Sequence, residues 1–192
     1  LFNKFSFSEY FESRKNHSSN FSNDKEDFLK SISELFHLFN FSLRVREQCF
    51  AQISIVFKTV PKDKYLYPRL LAILVALKNY DKNLYQDYIN GKVGAKKLLS
   101  HFESLSNAND FFNDESRGYD KIIEAQLIYY DQTDEKNDII QKYKQIKNNS
   151  DDFNFTREER VLELVDYFND SQHTDKPNYL VKKIEITDRF KN

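Results

Sequence analysis

The sequence predicts an all-α fold, an irregular multi-helix bundle, on three observations. The 192 residues include only 3 Gly and 3 Pro, too few for the tight turns of a β-rich fold. Apolar residues recur at three- and four-residue spacing along most of the chain. Residues 70–77 read Leu-Leu-Ala-Ile-Leu-Val-Ala-Leu, apolar on every side, which is the pattern of a helix at the centre of a bundle.

The elements follow in order. Phe28, Ile32, Leu35, Phe36 and Phe39 form a helical stripe over residues 24–39, with Asn23 and Glu26 as its capping pair. After the break at Asn40 and Phe41, Ser42 is a good N-cap for a second helix that carries Phe50, Ile53, Phe57 and Val60 and stops at Pro61. The central apolar helix should begin near Leu66, because Pro68 is tolerated only in a first turn. Asp81 opens a short helix through Ile89, closed by Asn90 and Gly91, and Leu98, Leu99, Phe102 and Leu105 mark the next. Residues 106–117 are rich in Asn, Asp and Ser and read as a loop, mobile and the best candidate for a domain boundary. That gives a helical bundle over 1–106 and a C-terminal helical extension over 107–192. Beyond the loop, Ile122, Ile123, Leu127 and Tyr130 outline one helix, and Ile139, Ile140, Tyr143 and Ile146 another. Thr156 and Glu159 make a capping box ahead of Val161, Leu164, Val165 and Phe168. The tail from Tyr179 to Phe190 fits two patterns, Leu180, Ile184 and Phe190 at loose helical spacing and Ile184 and Ile186 alternating as in a strand, and helix is the favoured reading.

Charge and composition exclude several functions. With 29 basic against 30 acidic side chains, the net charge of −1 does not supply a whole-surface grip on nucleic acid or anionic lipid. A single cysteine, Cys49, excludes an internal disulfide framework and an all-cysteine metal site, and fits a reducing cytoplasm. The longest apolar run is far shorter than the roughly 18 residues of a membrane span. The chain opens on Leu1 in an aromatic-rich stretch, so a piece of a longer protein is expected.

The chemistry-bearing motifs are incomplete. Glu34-Leu-Phe-His37 is half of a di-iron pattern, without the second copy that such a centre needs. His101-Phe-Glu103 matches the opening of a zinc-deaminase signature whose paired cysteines one cysteine cannot supply. The stretch from Gly91 to Lys97, Gly-Lys-Val-Gly-Ala-Lys-Lys, has the wrong spacing for a phosphate loop and reads as a helix end followed by a new helix start. Cys49 reads as a buried structural thiol. No catalytic residue and no metal ligand is assigned. The polar cluster of most interest is Ser42-Leu-Arg-Val-Arg-Glu47, which places Arg44 in a first turn where the helix dipole disfavours a cation. Either it is exposed and pairs locally with Glu47, or Arg44 or Arg46 points at an anion carried by another domain.

The run from Leu35 to Val60, with Phe39-Asn-Phe-Ser-Leu-Arg44 at its centre, followed by the apolar helix, resembles the C-terminal helical part of KAP-family P-loop NTPases. Phe41 stands where leucine is more usual, and the similarity covers about residues 1–105. The resemblance implies a lid or regulatory domain of a bacterial ATPase of a class sometimes membrane-associated and linked to phage exclusion. It implies ATP and Mg bound by an NTPase core in the same chain, and Arg44, or Arg46, as a sensor arginine to the nucleotide phosphates. No Walker A or Walker B element lies in these residues, so no ATP hydrolysis is expected of them alone. The alternative is a free-standing all-α protein-interaction module whose partner is another protein. A third reading is a helical enzyme with a site assembled from scattered acids and histidines.

Overall fold

The computed structural model describes residues 7, 24–61, 64, 66–112, 119–149, 156–170 and 178–190, and every regular element among them is helical. The helices are α1 (Asp24–Leu38), α2 (Leu43–Thr59), α3 (Pro68–Tyr80), α4 (Lys82–Ile89), α5 (Ala95–Glu103), α6 (Ala108–Phe112), α7 (Tyr119–Tyr130), α8 (Glu135–Asn149), α9 (Arg157–Asp170) and α10 (Asn178–Ile186), closed by a 3-10 turn at Thr187–Phe190. The chain forms two compact units, one of Leu1–Lys82 with Thr174–Asn192 and one of Asn83–His173.

In the first unit, α3 packs against α1, α2 and α10. Every residue from Leu70 to Leu77 is 0% exposed, so the uniformly apolar run is the centre of this core. The helix starts at Pro68 rather than Leu66, because Tyr67 at its N-cap sits in the left-handed region at φ 47°. Beside it the rings of Phe7, Phe28 and Phe57 meet at centroid distances of 5.0 to 5.9 Å, favourable ring-edge and tilted packing. Asn23 lies outside the described residues.

The second unit is built on α7. Helix α9 packs on α7 and α8, α5 packs on α7, and α6 packs on both α5 and α7. The capping box that opens α9 is formed in both directions: Thr156 N–H donates to Glu159 Oε2 at 2.8 Å, and Glu159 N–H donates to Thr156 Oγ1 at 3.2 Å. Gly91 ends α4 at φ 68°, a conformation that glycine adopts without steric cost.

The compact units follow a different division from the expected 1–106 and 107–192. Residues 106–112 are not all loop: Ala108 and Phe111 are buried in α6, and 113–117 lie outside the described residues. Leu180 and Ile184 of α10, both 0% exposed, bring the tail back to α2 and α3.

Candidate functional site

The link between α1 and α2 carries the residues of the family-like segment, and local physics accounts for most of them. Asn40 adopts φ 50°, while Asn40 N–H donates to His37 O and Phe41 N–H to Phe36 O, both at 3.0 Å. This is a Schellman ending, with its usual apolar contact supplied by the Phe36 and Phe41 rings, 5.7 Å apart. Ser42 then caps α2 through its side chain, which accepts from Val45 N–H at 3.5 Å.

The two candidate arginines occupy different environments. Arg46 is half-buried: its Nε donates to Phe41 O at 2.9 Å, and its guanidinium lies 5.7 Å from the Phe36 ring centroid. It fastens the start of α2 to the end of α1. Arg44 is exposed and forms no hydrogen bond or ion pair among the described residues, so the local pairing with Glu47 is not made. The first turn of α2 holds no acidic residue to offset it, and its neighbour Leu43 is 66% exposed.

The Gly91 to Lys97 segment starts α5 without a side-chain cap from its own N-cap residue, Gly94. The cap comes from Asp131, a buried residue just past α7: its Oδ2 accepts Ala95 N–H at 2.7 Å, and its Oδ1 accepts the N–H and the hydroxyl of Thr133, each at 2.8 Å. The anion at this helix start is therefore the chain's own carboxylate. A Cβ at Gly94 would stand 2.9 Å from Glu135 Oε2 and Thr133 Oγ1, so the glycine lets the cap approach.

A half-open cleft of about 500 Å³ in the second unit is lined by charges of both signs, among them Lys96, Glu103, Glu135, Lys142 and Arg157. Its deepest acid is Glu124 of α7, 5% exposed. Tyr143 of α8 donates to Glu124 Oε1 at 2.5 Å and Arg157 of α9 to Oε2 at 2.9 Å. With both oxygens engaged, Glu124 braces three helices. Burial, then the hydrogen bond to Glu124, pushes the Tyr143 phenol well above its ordinary value, which keeps it a donor.

Two more phenols shift the same way. Burial first, then the Asp131 charge, raises Tyr88, whose hydroxyl donates to Leu127 O at 2.8 Å, and burial raises Tyr130 to about 12. A phenol whose folded pKa exceeds the unfolded value of about 10 stabilises the fold fully below that value and loses the contribution as pH rises through the folded one. Stability of the second unit should therefore fall as pH rises from about 10 to 12, and urea midpoints measured across that window should decline less steeply in Tyr88→Phe. The substitution itself should be mild, since Leu127 O still accepts Asp131 N–H at 2.9 Å. An unchanged alkaline slope in Tyr88→Phe contradicts the assignment.

The remaining candidates are plain. His37 is exposed on α1 and Cys49 is fully buried in α2. No group of three or more His, Cys, Asp or Glu side chains among the described residues is placed to hold a metal. No described helix is long and apolar enough to cross a membrane. No protein-family model matches this chain, no curated protein matches it, and no solved structure matches it.

Proposed function

We propose that this chain is a non-catalytic helical module that presents the start of α2 to an anion held by another domain. The carrying observation is Arg44: an exposed guanidinium at the positive end of a helix, with no partner among the described residues. A cation there is unfavourable until an anion approaches, when guanidinium and helix dipole attract it together. On the sequence resemblance, the anion is a nucleotide phosphate in a P-loop NTPase core of the same protein. The module then acts as a cytoplasmic lid or regulatory domain of the KAP type, coupling the state of bound Mg-ATP to partner binding. Arg46 has a structural role in this reading.

The test is ATP turnover by the product of the complete open reading frame. Arg44→Ala should lower it by about tenfold, equivalent to roughly 1.4 kcal/mol of transition-state stabilisation. Melting of the 192-residue chain should barely change, because an exposed arginine contributes little to stability. The 192-residue chain alone should neither hydrolyse nor tightly bind Mg-ATP. Unaltered turnover in Arg44→Ala, or a reading frame without Walker elements, overturns the lid reading.

The second reading is a protein-interaction module that docks at the start of α2, where Leu43 is 66% exposed beside Arg44. It predicts that Leu43→Asp abolishes partner capture while leaving any ATP turnover untouched.

A further inference from the structure

Lys78, in the last turn of α3, is a lysine whose side chain is 1% exposed. Its ammonium donates to Ile184 O at 3.0 Å and lies 3.1 Å from Asp188 Oδ1 and 3.4 Å from Glu185 Oε1. Lys82 reaches the other oxygen of Asp188 at 3.5 Å. The Ile184, Glu185 and Asp188 oxygens belong to α10 and its 3-10 turn, which pack on α2 and α3.

The attachment of this segment differs in kind from the core it covers. The α3 helix is held by an unbroken apolar surface, whereas within α10 the buried side chains are Leu180 and Ile184. Tyr179, Val181 and Ile186 are half-buried and add partial cover, and the contacts to Lys78 are ionic, where desolvating the charges offsets much of their attraction. Undocking would return Lys78, Glu185 and Asp188 to water, which compensates for the lost ion pairs but not for the exposure of Leu180, Ile184 and their half-buried apolar neighbours. Segments with few apolar contacts open at lower free energy than the core beneath them.

We propose that α10 and its 3-10 turn form a charge-held latch that undocks from α2 and α3 as one unit while the rest of that core stays folded. Because α10 packs directly on α2, the latch is a built-in means of altering the helix that bears Arg44, whatever Arg44 binds. Its opening uncovers Lys78 beside Lys82. A change of charge at Asp188 or Glu185 shifts the balance between docked and undocked forms.

Hydrogen exchange of the whole chain at neutral pH tests this without reference to nucleotide. In the wild type, amides of α10 should exchange at least about tenfold faster than those in the middle of α3. Asp188→Asn, a change at a part-exposed side chain, should speed α10 by about a further tenfold and leave α3 unaltered. Glu185→Gln should act in the same direction to a smaller extent. Exchange of α10 as slow as α3 in the wild type, joint acceleration of both helices, or no acceleration in Asp188→Asn overturns the proposal.

Discussion

Leu74→Asp is expected to abolish the native fold of the first unit. Leu74 is 0% exposed and sits midway along a helix whose neighbours Ile73 and Val75 are equally covered, so the new carboxylate has no route to water. The substitution removes about 1.5–3 kcal/mol of apolar burial and leaves a charge or an unpaired acid in its place, at a further cost of several kcal/mol. Together these approach the whole stability of a domain, about 5–15 kcal/mol. Circular dichroism should show loss of helix, and amide protection over α1 to α3 should disappear. Leu74→Met, which conserves volume, should cost less than about 1.5 kcal/mol and separates a packing effect from a charge effect. Cooperative, wild-type-like melting of the aspartate variant contradicts the central placement of α3.

The second large effect is expected at Asp131. Its carboxylate accepts three hydrogen bonds, and Asp131→Ala strands the Ala95 amide, on a residue that is 0% exposed. Loss of a helix cap together with charge-assisted bonds should lower stability by about 2–4 kcal/mol. Asp131→Asn retains one acceptor oxygen but turns an NH2 toward a donor, so an intermediate loss is expected. Urea unfolding measures both variants, and exchange of the first α5 amides localises the damage. A change within about 0.5 kcal/mol for Asp131→Ala contradicts the capping role.

Features whose partners lie close in sequence were legible before the structure. Ser42, the Thr156 and Glu159 box, the Gly91 ending and the uniformly apolar run all signal through a few adjacent residues, and each forms as expected. Features that depend on distant partners were not. The Asp131 cap bridges 36 positions and the Lys78 contact 106, and neither sequence neighbourhood names its partner. Asp131 followed by Thr133 reads as a local turn, which it also is, and this conceals the longer link. The two arginines of the candidate site could not be separated by composition alone. Only the Schellman turn brings Phe36 and the Phe41 carbonyl to Arg46 and leaves Arg44 outside.

The discontinuity of the first unit has a bearing on synthesis. Its core helix α3 is made early, but the Ile184 carbonyl that receives Lys78 is 106 residues further along. At translation rates of about 5–20 residues per second, that interval is on the order of 5–20 s. During it, the contiguous stretch Asn83–His173 can complete its own fold, while α3, the most apolar of the described helices, lacks its last covering segment. The first unit to begin is thus the last to finish, and its exposed interval on the ribosome is when binding by a chaperone, or a slowed codon stretch before α10, would alter the yield of native protein.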